Sequence, residues 1–231
     1  MASWRLTRKD RHKMLKLRYD IFGADALGNA KFIGKYEFPF TPGSRISKLP
    51  DRIVPFDRIG ELRKGDWLHS YVHDRRFCNF LARRLNYAAA LGAAGGFIGF
   101  DNSMYRDLPL AEQIHSCYLN RAIDHYLYSF GKPVIANVSW GDYRSYEFCC
   151  DGIAEHSTVA MSTYGCCRNR QDRAYFEDGF VYSVERLHPC AVVIHGPIWS
   201  ELSELIAYHD VQIIKISTQR EMVSRKEVRH G

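Results

Sequence analysis

From residue 70 onward, short apolar runs alternate with stretches that repeat apolar residues at helical spacing. The runs Ser70–Asp74, Gly96–Asp101, Pro133–Ser139, Thr158–Thr163, Ala191–His195 and Val211–Ile216 predict strands. Between them, Phe77–Leu91 and Leu108–Phe130 predict helices, the second with Leu110, Ile114, Cys117, Tyr118, Ile123 and Leu127 on one broad face. Tyr146–Cys150, Ala174–Leu187 and Ile198–Ala207 fill the remaining gaps. Strands apolar on both faces and separated by helices indicate an α/β fold built on a parallel sheet covered on both sides. Repeated β–α units of this kind close either as an open sheet or as a small, incomplete TIM-like barrel.

The first 60 residues read differently. Thr7-Arg8-Lys9-Asp10 fits a capping box, and it opens a basic N-terminal helix (residues 1–24) that stops at Gly23. Met14, Leu15, Leu17, Ile21 and Phe22 share one face, with Lys9, His12, Lys13 and Lys16 opposite. Residues 25–60 hold Pro39, Pro42, Pro50 and Pro55, four of the eight prolines, and predict extended pieces joined by turns that wrap the body or cover a cleft. Residues 61–219 form the α/β body, a single domain with the preceding segments. Residues 220–231 form a basic tail.

Charge sharpens this division. The net charge of +6 separates into +5 over residues 1–20, +2 over residues 220–231 and −1 between them. The body therefore lacks a general polyanion-binding composition, and contacts to nucleic acid are expected from Arg8, Lys9, Lys13 and Lys16 or from a local arginine cluster. Seven cysteines, an odd number, argue against a secreted disulfide framework. The pairs Cys149–Cys150 and Cys166–Cys167 lack the spacing of a zinc site. No metal is expected, no cofactor can be named, and no apolar run approaches bilayer length, so a cytoplasmic location without membrane contact is the expectation.

In a parallel sheet, ligands bind beyond the carboxyl ends of the strands. Those ends are polar here: His73-Asp74, Asp101-Asn102-Ser103-Met104-Tyr105-Arg106-Asp107, Asn137-Val138-Ser139-Trp140, Ser162-Thr163 and His195-Gly196. Asp101, His73 and Asp74 are the candidates for proton transfer, because a carboxylate and an imidazole share that task. Ser103, Tyr105, Asp107, Trp140, Ser162 and Thr163 are candidate ligand contacts. Arg121, on the polar side of the helix after Asp107, is a candidate for an anionic group, as are Arg168 and Arg170 after Gly165. Each residue also has a structural reading as a cap, turn or core position. Dinucleotide, P-loop, zincin and α/β-hydrolase motifs do not occur.

One set of residues resembles a known family. Leu49-Pro50-x-x-Ile53-Val54-Pro55-Phe56-Asp57, Phe100-Asp101-x-Ser103-x-Tyr105-x-Asp107-x-Pro109, Gln113, Asn120-Arg121, Val138-Ser139-Trp140, and Ser157-x-Val159-Ala160-x-Ser162-Thr163-x-Gly165 are similar to the signature of domain of unknown function 4417. The similarity covers roughly residues 35–216. Ala136 and His195 stand where that signature carries proline and tyrosine. The resemblance implies a phage or mobile-element context and a rim at Asp101, Ser103, Tyr105, Asp107, Trp140, Ser162 and Thr163, and it implies no reaction.

Three functions are consistent with these features. The first is binding, with or without processing, of a nucleotide or nucleic acid at the strand-end rim. The second is non-catalytic nucleic-acid binding through the basic helix. The third is interaction with a bacterial host protein, for which abundant aromatic residues (13%) would supply contact surface.

Overall fold

Seven short runs of mostly β-branched and aromatic residues lie side by side in chain order. A computed structural model describes residues 23–216. A small hairpin pairs β1 (Phe32–Ile33) with β2 (Phe38–Pro39). The main sheet then comprises β3 (Ile53–Pro55), β4 (Trp67–His69), β5 (Gly96–Ile98), β6 (Val134–Asn137), β7 (Thr158–Ser162), β8 (Ala191–His195) and β9 (Ile213–Ile216). All neighbours are parallel and the spatial order follows the sequence. The sheet curls into a half-barrel, the incomplete-barrel form of the expected α/β architecture.

Alternation along each strand divides the core into two sides. On β7, Val159 and Met161 pack with Phe176, Phe180, Val184 and Leu202 from the helices α4 (Arg170–Leu187) and α5 (Ser200–Tyr208). Ala160 points the other way and joins Trp67, Ile98, Ile135, Val193 and Ile216 inside the curl. That inner cluster draws on no helix. Ile46 and Leu49 pack against it instead. Here Thr158 Oγ1 accepts from Ile46 N–H at 2.8 Å and donates to Ile46 O at 3.0 Å. Thr158 is the first residue of β7, so residues 44–49 pass beneath the amino ends of the strands.

Phe56 centres a second outer cluster, with the rings of Phe77, Phe80, Tyr87 and Phe100 at centroid distances of 5.1–6.4 Å. Helix α3 (Leu110–Tyr128) closes this side with Ile123, Tyr126 and Leu127.

Several elements differ from expectation. The strand expected at Ser70–Asp74 lies at Trp67–His69, because Ser70 turns out of the ladder to bond Gly99 O and Asp74 opens a 3-10 turn. A further strand, β3, occupies the Pro-rich segment; its place at the sheet edge tolerates Pro55, which lacks a ladder N–H. The helix expected over Phe77–Leu91 is broken into α1 (Phe80–Arg83), a 3-10 turn at Arg84–Tyr87 and α2 (Ala88–Ala93). Arg84 is buried there and donates to Leu81 O at 2.6 Å. The segment at Tyr146–Cys150 is a 3-10 turn over Tyr143–Glu147, begun by Asp142, whose carboxylate accepts from Arg144 N–H. The proposed basic helix with Arg8, Lys9, Lys13 and Lys16, and the C-terminal tail, lie outside the described residues. No helix among the described residues is long and apolar enough to cross a membrane.

Candidate functional site

The inner face changes character at the carboxyl ends of the strands. Two residues beyond the apolar inner positions stand polar ones: Trp67 is followed by His69, Ile135 by Asn137, Ala160 by Ser162 and Val193 by His195. Strand alternation brings all of these to the same face. Tyr71, two further on from His69, extends the series over the rim.

These side chains form one connected array. Tyr71 donates its hydroxyl to Asn137 Oδ1 at 2.9 Å, and Asn137 Nδ2 donates to Asp101 Oδ1 at 2.9 Å. The Tyr71 ring lies on the His195 imidazole with centroids 4.5 Å apart and planes at 11°. His195 Nδ1 is 3.1 Å from Ser162 Oγ, and the His69 ring is 5.7 Å from that of His195. His69, Asn137 and His195 are buried, while Tyr71, Asp101 and Ser162 are half-buried.

The loop that carries Asp101 is clamped from three sides. Ser70 Oγ accepts from Asp101 N–H at 3.1 Å and donates to Gly99 O. Asp74 accepts from both the N–H and the hydroxyl of Ser103 at 3.1 Å. Asn120 Oδ1 on α3 accepts from the main-chain and side-chain N–H groups of Asn102 at 2.8 and 2.7 Å. The carboxylate of Asp101 is thereby fixed relative to Asn137.

Burial and charge set the protonation states. Burial, reinforced by the Asp74 carboxylate, lifts Asp101 to about 6, against the opposing hydrogen bond from Asn137. At neutral pH it is ionised yet more basic than an ordinary carboxylate. Burial, with His195 nearby, lowers His69 to about 3. Its Nδ1 accepts from Tyr71 N–H at 3.1 Å, which places the proton of the neutral ring on Nε2. Tyr71 is pushed well above its ordinary value by burial and by Asp101 and Asp124, so it remains a hydroxyl donor.

Behind the rim, Arg121 is 1% exposed. It donates to Asp151 O, Asn137 O and Cys149 O at 2.8–2.9 Å. Its Nη1 is 3.6 Å from Asp124 Oδ2, whose carboxyl burial raises to about 7 despite that arginine. Arg121 therefore serves the backbone, each of its three nitrogens donating to a main-chain carbonyl inside the protein, and it is not brought to the exposed rim as a ligand contact.

The other sequence candidates fall into three groups. Asp74, Ser103 and Ser162 sit with Asp101 at the rim. Three others hold up the fold. Thr163 is fully buried and donates to Pro197 O at 2.8 Å. The Trp140 indole packs on Phe176 and donates to Tyr175 O at 3.2 Å. His73 is exposed, and its Nδ1 caps the following turn by accepting from Arg75 N–H. Tyr105, Asp107 and Arg168 are exposed at loops beyond the strand ends, and Arg170 is exposed as the first residue of α4. Sequence reasoning missed His69, Tyr71 and the structural weight of Asn137. The alternation Trp67-x-His69-x-Tyr71 was the available signal. Among the described residues, no three His, Cys, Asp or Glu side chains converge as a metal set.

Residues 31–214 match the sequence profile of a family described as "Domain of unknown function (DUF4417)". The chain belongs to the DUF4417 family. It is also similar to two proteins each named "Gene 1 protein". One, from Mycobacterium phage D29, is 30% identical over 132 residues, 57% of this chain and 49% of the phage protein. The other, from Mycobacterium phage L5, is 29% identical over 148 residues, 63% of each chain. The chain thus spans about half to under two thirds of the length of these relatives. No solved structure matches. Much of the DUF4417 signature read in the sequence is now explained as scaffold: Asn120 and Arg121 hold the strand-end loops, while Asp101 and Ser103 form the rim. His195 is the ring on which Tyr71 rests.

Proposed function

We propose that this phage-related protein binds a nucleotide or nucleic-acid base at the carboxyl-end rim of the half-barrel and processes it with Asp101 as general base. The observation that carries this reading is Asp101 itself: a half-buried carboxylate, held by Asn137 and raised to about 6 by burial and Asp74. A base of that strength is matched to proton abstraction near neutral pH. Exposed rings of Tyr105 and Tyr164 at the same strand ends supply stacking faces for a heterocycle.

The test is turnover of a panel of nucleotides and short oligonucleotides by wild type and Asp101→Asn, followed chromatographically from pH 4.5 to 8. Turnover is expected to rise to a plateau with an apparent pKa of about 6. Asp101→Asn should lose about 100-fold or more at an unchanged melting temperature. Retained turnover in the variant would overturn the reading. So would a stability loss of about 1 kcal/mol or more, the mark of a carboxylate that merely caps its loop.

A further inference from the structure

The loop after β5 meets the first turns of α4, which continue from the loop after β7, above the rim. Arg106 donates to Asp172 Oδ1 at 2.7 Å, and its guanidinium lies 4.5 Å from the centre of the Tyr175 ring. Tyr164, in the second loop, stands 6.1 Å from the His195 ring of the rim array. The two loops therefore form one surface beside Asp101.

The part of that surface that follows β7 is locally basic. Residues 164–175 hold three arginines against one aspartate, in a body whose overall balance is −1. The carboxylate of Asp172 is already engaged by Arg106 and by Asn169 Nδ2. Arg173 is turned away: its Nε donates to Cys167 O and its guanidinium lies over Trp199. Arg168 and Arg170 are exposed. Glu201 lies near Arg170, and Arg168 has no hydrogen bond or ion pair among the described residues. Interleaved with these arginines are Tyr105, Tyr164 and Tyr175, exposed by 58%, 54% and 42%.

Exposed aromatic faces beside exposed guanidinium groups are the chemistry that tracks single-stranded nucleic acid, bases stacking on rings while phosphates meet arginines. A duplex fits poorly. Asp101 is recessed beside Tyr71, and a base within a stacked pair cannot reach it without leaving the helix. We infer that the Arg106–Arg168–Arg170 surface with Tyr105 and Tyr164 holds a single strand of nucleic acid and directs one unpaired base toward Asp101. This rests on the reading of Asp101 as the reacting group.

The experiment uses the full chain and fluorescence anisotropy with labelled DNA and RNA single strands of about a dozen nucleotides, alongside the matching duplexes. Wild type should prefer single strands. Arg168→Glu combined with Arg170→Glu should weaken their binding about tenfold or more and flatten the logarithmic salt dependence by about 1.4, two phosphate contacts' worth. Tyr164→Ala should weaken binding with the salt slope intact. Comparison of the DNA and RNA arms identifies the polymer.

Unchanged binding in the double arginine variant would overturn the inference and move the contact elsewhere on the chain. Equal affinity for duplex would overturn it too. If mononucleotides bind and react in an Asp101-dependent way while oligonucleotides gain nothing, the strand surface falls and the base site stands. Oligonucleotide binding lost in the arginine variant, without any Asp101-dependent turnover, supports the surface and removes the general base.

Discussion

The ring of Tyr71 rests on the imidazole of His195 at 4.5 Å, although β4 and β8 are separated by three other strands. A flat sheet would hold these strands roughly 19 Å apart, four inter-strand spacings. The contact therefore measures the curl of the half-barrel. It also roofs His69 and Asn137, converting a row of strand ends into an enclosed polar array.

Tyr71→Phe separates the two parts of this contact. The stack remains, but Asn137 Oδ1 loses its donor in a buried place. The expected cost is about 1–2 kcal/mol by urea denaturation. Tyr71→Ala removes the roof as well and should cost more. Equal losses for the two variants would assign the whole effect to the hydroxyl.

His69 makes the fold acid-sensitive. Its pKa is near 3 when folded and 6.5 when unfolded, so the unfolded chain takes up a proton that the folded one refuses. Stability from this group is complete above pH 6.5 and is lost as pH falls, by about 2 kcal/mol on reaching pH 5. His69→Asn keeps an acceptor for Tyr71 N–H without the titration. The variant-minus-wild-type stability difference should shift in the variant's favour by that amount between pH 8 and pH 5. A pH-independent difference would show that His69 charges freely in the folded protein. Asp101 and Asp124 act in the opposite sense, since their raised folded values favour the folded state as pH falls. The subtraction cancels both, provided the substitution leaves them undisturbed.

Arg121 is expected to be among the most costly single positions. Arg121→Met would leave three main-chain carbonyls without a donor and Asp124 without its cation. A loss of about 3–5 kcal/mol is expected in denaturant melts. Arg121→Lys should recover little, because one ammonium cannot reproduce a planar fork aimed at three oxygens. A loss under about 1 kcal/mol for Arg121→Met would mean that relaxation or water satisfies those carbonyls.

What was legible in the sequence follows from where each signal is encoded. β5 to β9 announce themselves because their residues are apolar on both faces. β4 does not, since Trp67-Leu68-His69 is short and runs straight into polar rim residues. Asp101 was identifiable from its place at a strand end. His69 and Tyr71 were not singled out, because their meaning depends on β4 meeting β8 across the curl, a relation no local window contains. The burial of Arg121 was hidden for the same reason. A helical arginine on a polar stripe reads as exposed, and three strand-end carbonyls converging behind it are invisible along the chain.

Gly179 ties the helix layer to the end of β6. It lies in mid-α4 and is fully buried against the Trp140 indole, so a Cβ there would run into the ring's Cε2 and Nε1 atoms. Helix propensity alone would make Gly179→Ala favourable by roughly 1 kcal/mol. The collision reverses the sign, because the indole is held by Phe176 and by its bond to Tyr175 O and cannot step aside without losing both. A net destabilisation of about 1–3 kcal/mol is expected, with a shifted tryptophan emission. Trp140→Phe combined with Gly179→Ala should restore part of that loss, since the smaller ring leaves room for the methyl group. If Gly179→Ala alone were stabilising, the indole would have to be mobile, and the link between α4 and the Trp140 loop would be weaker than its contacts indicate.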